Sequence, residues 1–277
     1  MSLIEPGLIG LILVMCLAGA IAGITAGLFG IGGGFIVVPA LLAVFPLFSH
    51  TDQHLIYVAI GTSLASIVVS SARAVQAHRR RGAVDFQVLK EWSPWLILGV
   101  AAGLYIASVT DGHRLYVVFA IGVLLYSIYF LLPDVFSRFT NTLTMPTGAI
   151  RAGLASVLGG FSALLGIGGG TVTVMTMVIC NRPVHQAVAT AAGVGFIIGL
   201  PGAIGFLIIG LGIEGLPWGS VGYINLPALA AISAMSIFTA PIGASWAHRL
   251  DESRLKRLFG VYLVCIAVAM YYKSLHI

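Results

Sequence analysis

The chain has 277 residues, of which 59% are hydrophobic and 8% are charged, and its formal net charge is +5. Soluble domains carry about 25% charged residues, so this composition excludes a soluble globular protein. The Lys and Arg residues lie in short loops between apolar runs, where they report membrane topology and argue against a nucleic-acid-binding protein. We therefore predict a multi-pass protein of the lipid bilayer.

Apolar runs recur from end to end and predict ten helices in two sets of five. The first set lies at residues 7–29, 35–48, 54–77, 93–109 and 114–132, and the second at 148–165, 171–180, 185–211, 224–247 and 255–274. The second member of each set has only about ten to fourteen residues, too few to span about 30 Å of hydrocarbon. We expect each short helix to pair with its predecessor, as a broken helix or a re-entrant hairpin.

A five-residue stretch, Gly-Ile-Gly-Gly-Gly, occurs twice, at residues 30–34 and 166–170. Its glycines should end the preceding helix, since each costs roughly 1 kcal/mol relative to alanine. Inside a membrane the freed backbone must be buried in protein or line a watery cavity. A new helix starts after each break, and its free N–H groups together with a glycine nest form an anion site. The alternative is that the glycines only allow close helix packing.

The two sets of helices match each other in sequence, which indicates an internal duplication. We predict two transmembrane repeats, residues 1–140 and 141–277, each with a glycine-broken helix pair followed by three transmembrane helices. The matched pairs are Gly23 with Gly159, His54 with His185, and Gly103 with Gly243, at offsets of 136, 131 and 140 residues.

The basic loops predict the orientation of each half. The clusters at 78–81 and 248–257 should both be cytoplasmic. Each half makes an odd number of crossings, counted as five or as three plus a hairpin, so the second half should sit inverted relative to the first. Arg151 and Arg182 then lie on the cytoplasmic side, Asp111 lies outside, and both chain ends are non-cytoplasmic.

Residues 28–39 read Leu-Phe-Gly-Ile-Gly-Gly-Gly-Phe-Ile-Val-Val-Pro and resemble the hallmark of the TauE/SafE family of anion permeases. This family is also called the sulfite exporter or toluenesulfonate-uptake family. Supporting matches at 59–63, at the second glycine stretch and at 241–244 extend the resemblance over nearly the whole chain. The second copy departs from the pattern, because Met175 stands where the first copy has Pro39.

The resemblance implies an all-α integral membrane transporter of the bacterial inner membrane. It implies a substrate among sulfite, sulfoacetate, other organosulfonates and related sulfur anions, without choosing one. We expect a secondary transporter that exports the anion by alternating access. The alternatives are an anion channel that uses the same glycine nests and a carrier for another anion, such as a carboxylate.

We predict that backbone N–H groups at the two breaks hold the anion, together with nearby hydroxyl groups. Thr62 and Ser63 lie about 12 Å along a helix from His54, close to the membrane midplane. A hydroxyl there can donate to a sulfonate without a charge that would trap the anion. The alternative is that these hydroxyls bond the preceding turn or a neighbouring helix. The predicted substrate-binding residues are Gly30, Gly32, Gly33, Gly34, Thr62, Ser63, Gly166, Gly168, Gly169, Gly170, Thr171 and Thr190.

Every Asp and Glu falls in a predicted loop or at a segment end, so no carboxylate is expected at the midplane. This favours potential-driven export, or coupling through the substrate's own protonation, over a carboxylate relay. The sequence has no nucleophile and base pairing, metal-ligand cluster or nucleotide loop, so we expect no enzyme activity, metal or cofactor. A homodimer is one assembly open to such a protein.

Overall fold

The computed structural model describes residues 6–29, 33–47, 54–79, 82–132, 144–247 and 252–275. Within these ranges the first half contains α1 (Pro6–Phe29), α2 (Gly34–Val44), α3 (Leu55–Arg79), α4 (Phe86–Val109) and α5 (Gly112–Leu131). The second half contains α6 (Gly148–Leu165), α7 (Gly170–Ile179), α8 (Val184–Ile209), α9 (Leu226–Ala247) and α10 (Glu252–Ser274). A two-stranded antiparallel hairpin, β1 (Ser220–Val221) and β2 (Ile224–Asn225), precedes α9.

Seven of these helices are long and apolar enough to cross a membrane. They are α3, α4, α5, α6, α8, α9 and α10. The helices after the two breaks are short, with 11 residues in α2 and 10 in α7. The prediction of an all-α membrane protein is confirmed.

Most predicted segments match the observed helices to within a few residues, but α4 begins at Phe86 instead of 93. Asp85 caps this helix, because its side chain accepts a hydrogen bond from the Val88 N–H at 3.1 Å. The first turns of α4 carry Lys90 and Glu91, so a search for apolar runs starts the helix too late.

The α6–α7 pair is a helical hairpin. Cys180, which follows α7, donates a hydrogen bond from Sγ to the carbonyl of Thr144, which precedes α6, at 3.4 Å. The chain therefore enters and leaves the bundle at the same face. The α1–α2 pair turns back in the same way, since a β-carbon on Gly33 would lie 3.0 Å from the side chain of Ala22 in α1.

Helix packing repeats between the two halves: each of the following contacts has a counterpart made by the equivalent helices of the opposite halves. α1 packs on α9 as α6 packs on α4, α2 on α3 as α7 on α8, and α9 on α3 as α4 on α8. Individual residue contacts match as well. Gly243 packs against the backbone of Ile24, and the equivalent Gly103 packs against the backbone of Gly160. These contacts support the predicted duplication, while the inverted orientation of the halves stays a prediction.

Charged residues tie together one face of the bundle. Arg182 after α7 forms an ion pair with Asp85 at 3.8 Å, and Arg151 in α6 pairs with Glu91 in α4. The start of α6, the end of α7 and the start of α4 therefore share a face, which we call the basic face. At the opposite face the start of α3, the α4–α5 turn and the β-hairpin come together.

Single cysteines on a background without the native cysteines test the orientation of these faces. We expect Gln87→Cys and Arg254→Cys to react only with reagent on the cytoplasmic side, because basic loops stay inside. Ser108→Cys at the opposite face should react only from outside. The measurement is labelling by a membrane-impermeant maleimide in intact cells and in inverted vesicles. Labelling of Gln87→Cys and Ser108→Cys from one side would contradict the predicted topology.

Candidate functional site

The two glycine breaks meet inside the bundle. A β-carbon added to Gly34 would lie 2.4 Å from the carbonyl oxygen of Gly166 and 3.1 Å from the Cα of Ile167. All three residues are buried. The tips of the two hairpins are thus in backbone contact. Gly30 and Gly32, which we also predicted to bind substrate, lie outside the described residues.

Two glycines of the second break have left-handed backbone conformations. Gly166 ends α6 and Gly169 precedes α7, each at φ 66°, a left-handed conformation that glycine adopts without steric cost. The Ile167 N–H bonds back to the Ser162 carbonyl at 3.0 Å and closes the end of α6. Residues 168–171 are buried, and their N–H groups donate no hydrogen bond within the described part of the chain.

Two buried hydroxyl groups lie at this break. Thr171 is 5% exposed and Ser162 is 0% exposed, and neither side-chain oxygen has a hydrogen-bond partner among the described residues. Ser162 Oγ lies 3.1 Å from the position that a Gly169 β-carbon would occupy. A buried polar group without a partner costs about 1–3 kcal/mol, so the break favours a ligand that accepts hydrogen bonds.

Tyr126 in α5 reaches the point where the two hairpins meet. Its ring packs edge-on against Phe35 of α2, with 4.9 Å between ring centroids, and stacks on Phe161 of α6 at 6.0 Å. Its phenol approaches Ser162 without forming a hydrogen bond of normal length and angle. Tyr126 and Ser162 were not predicted, because the sequence pattern drew attention only to the two breaks, the residue after the second break and the third helix of each half.

The hydroxyls of the predicted third helices have protein partners. Ser63 donates to the carbonyl of Gly166 at 2.7 Å, so it binds the second break directly. Thr62 Oγ1 accepts the Asn225 N–H at 2.9 Å, and Thr190 Oγ1 accepts the Asp85 N–H at 3.0 Å. The structure thus shows the alternative left open by the sequence, a bond to a neighbouring element. A role of these three hydroxyls in substrate binding stays a prediction.

Thr62 and Thr190 occupy equivalent positions. Each accepts a hydrogen bond from the residue that caps the fourth helix of the other half. Thr62 binds Asn225, whose side chain accepts the Ala228 N–H at 3.0 Å at the start of α9. Thr190 binds Asp85, which caps α4. The equivalent offset in the third helices is therefore 128 residues, from 62 to 190. The predicted match of His54 with His185 at 131 is wrong by three residues.

We expect Thr62→Val to lower stability and leave anion affinity unchanged. The Asn225 N–H is buried and would lose its acceptor, at a cost on the order of 1–3 kcal/mol. Thermal unfolding and anion titration of the purified variant measure both effects. Thr25→Val is the control, because that hydroxyl only donates to the preceding turn. Lost affinity at unchanged stability would restore Thr62 to the binding site.

A cleft of about 410 Å³ opens at the face opposite the basic face. The Tyr57 and Tyr223 rings stack at 5.0 Å in its wall, and the Tyr223 hydroxyl lies 3.1 Å from His54 Nδ1. Burial raises the pKa of the Tyr223 phenol above its usual value, so the phenol stays neutral. The Tyr223 carbonyl packs on Gly61, two residues before Ser63, so the cleft ends close to the second break.

A family model described as Sulfite exporter TauE/SafE matches residues 15–270. The chain belongs to this family. A Haemophilus influenzae protein described as a probable membrane transporter is 34% identical over 263 residues, which cover 95% of this chain and 98% of the relative. A probable membrane transporter from Methanocaldococcus jannaschii is 25% identical, over 93% of this chain and 94% of the relative. One from Bacillus subtilis is 23% identical, over 95% of this chain and 98% of the relative. No solved structure matches the chain.

As a TauE/SafE protein whose described residues include seven apolar helices of spanning length, the chain is a multi-pass membrane transporter. Its substrate is a small molecule that must cross the lipid bilayer. The match includes both glycine breaks, the third helices and the β-hairpin. The contact between the two hairpin tips is therefore the part of this transporter where a substrate site is to be sought.

Proposed function

We propose that the protein is a secondary transporter that exports a small sulfur-containing oxyanion, such as sulfite, sulfoacetate or another organosulfonate, by alternating access. The observation that carries the proposal is the second glycine break. There, residues 168–171 are buried, and neither their N–H groups nor the hydroxyls of Ser162 and Thr171 have a hydrogen-bond partner in the described part of the chain. All of these groups are hydrogen-bond donors at the positive end of α7.

Sulfite and sulfonate groups carry several acceptor oxygens on one sulfur atom, so they can accept from converging donors at the same time. Among the described residues no Lys or Arg lies at the break, so in this proposal helix N-termini and hydroxyl dipoles stabilise the charge of the anion. Weak, distributed stabilisation suits a transporter, because the substrate must also leave. The family description, Sulfite exporter TauE/SafE, supports the sulfur anion over a carboxylate.

The first break contributes to the same site in this proposal. Gly33 precedes α2 at φ 78°, and the N-terminus of α2 meets the second break through Gly34. Two helix N-termini on hairpins from different halves thus meet at one point, as in transporters built from inverted repeats. Alternating access would then open the site in turn toward the cleft of Tyr57 and Tyr223 and toward the basic face.

The site lies within closely packed helices, which favours a carrier over a channel. Gly34 and Gly166 touch through their backbones, and the Tyr57–Tyr223 stack lies between the cleft and the break. A carrier gives saturable flux that accelerates when substrate is present on the far side. Flux that stays proportional to concentration and shows no such acceleration would favour the channel. Flux in vesicles of known orientation also tests the export direction.

The test of the function is thermal stabilisation of the purified protein by a panel of anions: sulfite, sulfate, thiosulfate, sulfoacetate, taurine and carboxylates. We expect a sulfur oxyanion to stabilise most. Ser162→Ala and Thr171→Val should each weaken its affinity by about fivefold, the effect of about 1 kcal/mol for one hydrogen bond. Ser245→Ala, at an exposed serine on α9, is the control. Stabilisation by no anion of the panel in folded protein would contradict the proposal.

A further inference from the structure

A small cavity lies beside the first glycine break, between α1, α2, α3 and α9. Its volume is about 20 Å³, which is room for one water-sized ligand. None of the described residues that line it is charged. Serines and alanines make up most of its wall: Ala22, Ala26, Ser66, Ser70, Ser236 and Ala240.

The three serine hydroxyls in the wall have already donated their hydrogens. Ser66 donates to the Ser63 carbonyl at 2.7 Å, and Ser70 and Ser236 bond the carbonyls three residues before them at 3.2 and 3.1 Å. A hydroxyl carries one hydrogen, so each oxygen now offers only lone pairs. The serine side chains of the cavity are therefore acceptors, which suit a small hard cation and not an anion.

The last turn of α1 lies beside the cavity. α1 ends at Phe29, and the last carbonyl groups of a helix have no partner within it. Ala26, which lies in the last turn of α1, lines the cavity. This is the partially negative end of a helix dipole, and half-helix C-terminal ends hold sodium ions in transporters with broken helices.

The same junction in the second half is filled with bulky side chains. The equivalent residues follow from the offsets of 136 between α1 and α6, 128 between α3 and α8, and 140 between α4 and α9. The residues equivalent to those of the cavity wall pack in an apolar core cluster. The fold therefore does not require a cavity at this junction. The pairs are Ala22 with Leu158, Ser66 with Val194, Ser70 with Ile198, and Ser236 with Leu96.

We propose that this cavity binds a sodium ion whose presence strengthens anion binding at the neighbouring break. The coupling rests on the function proposed above, because the anion supplies the charge that balances the buried cation. Ser63 connects the two sites: its carbonyl accepts from Ser66 at the cavity, and its hydroxyl donates to Gly166 at the break.

The experiment compares thermal unfolding of the full-length protein in sodium, potassium and N-methylglucamine chloride at equal ionic strength. Sodium alone should raise the melting temperature above that in the other two salts. In titrations with sulfite and with sulfoacetate, sodium should raise the affinity for at least one of them by about tenfold. That anion should raise the sodium affinity by the same factor, as thermodynamic linkage requires.

The substitution Ser66→Val introduces valine, the residue type found at the equivalent position of the second half, Val194. We expect this variant to fold, since a buried apolar side chain replaces empty space, and to lose the sodium response. Ser245→Ala is the matched control on α9. Its hydroxyl bonds the Ile242 carbonyl at 2.8 Å but lies at an exposed position. Its sodium response should equal that of the wild type.

Equal stabilisation by sodium and potassium would overturn the proposal, and so would a sodium response that survives Ser66→Val. In either case the cavity holds a water molecule at most. Anion binding that is independent of sodium would also overturn it, while leaving the proposed transport function intact. Sodium stabilisation without any response to an anion would refute the coupling and the proposed function, but not the cation site.

Discussion

Gly169→Ala is expected to lower anion affinity by at least about tenfold in protein that still folds. The added β-carbon would lie 3.1 Å from Ser162 Oγ and 2.8 Å from Ile198 Cδ1. It would therefore occupy the space beside one proposed donor and push against α8. Gly169 also has φ 66°, where a side chain costs about 1–2 kcal/mol, so the backbone donors of the nest would shift. Anion titration followed by thermal unfolding measures the change.

Gly148→Ala is the matched control for the backbone strain. Gly148 has φ 56° and would meet no atom within 4 Å if it gained a β-carbon. Its variant should lose stability and keep anion affinity. Unchanged affinity in Gly169→Ala, or equal losses in both variants, would mean that the glycines of the second break serve packing and that the anion binds elsewhere.

The helices could be predicted from the sequence because the bilayer imposes simple rules. Spanning length sets the apolar runs, and clustered glycines end α1 and α6 in water or lipid alike. α4 departs from the rule, since its first turns carry Lys90 and Glu91 and are held by the cap at Asp85. The β-hairpin before α9 was not predicted, because strands of two residues leave no periodic pattern.

The site was harder to predict than the fold. Thr62 and Thr171 are both buried threonines, yet Thr62 holds a helix cap and Thr171 has no hydrogen-bond partner among the described residues. Only tertiary contacts separate these roles. Tyr126 and Ser162 come from segments that the glycine pattern does not mark, and they meet at the break because α5 and α6 pack there.

The two halves share an architecture but carry different chemistry. At the offset of 136 residues, Ser162 and Thr171 of the second half correspond to Ala26 and Phe35 of the first. At these two positions, therefore, the second half carries hydroxyl groups without partners among the described residues, and the first half carries apolar side chains. The first half instead has the serine-lined cavity beside α1. We infer a division of roles in which the second half supplies most anion donors and the first half supplies the counter-charge.

Gly34→Ala is expected to be the most damaging of these substitutions to the fold, with a loss of about 3 kcal/mol or more. Its β-carbon would lie 2.4 Å from the Gly166 carbonyl oxygen, and main-chain atoms cannot rotate away as a flexible side chain does. The Gly166 carbonyl also accepts the Ser63 hydroxyl, so moving it breaks a buried bond. The hairpin tips would have to separate.

Denaturant unfolding in mild detergent, together with the yield of inserted protein, measures this loss. Gly153→Ala is the contrasting variant, since Gly153 lies in α6 and a β-carbon there would meet nothing within 4 Å. Alanine at that helical position should be neutral or stabilise by up to about 1 kcal/mol. If Gly34→Ala unfolds no more easily than Gly153→Ala, the two tips are not in contact. Two helix N-termini could then no longer share one anion.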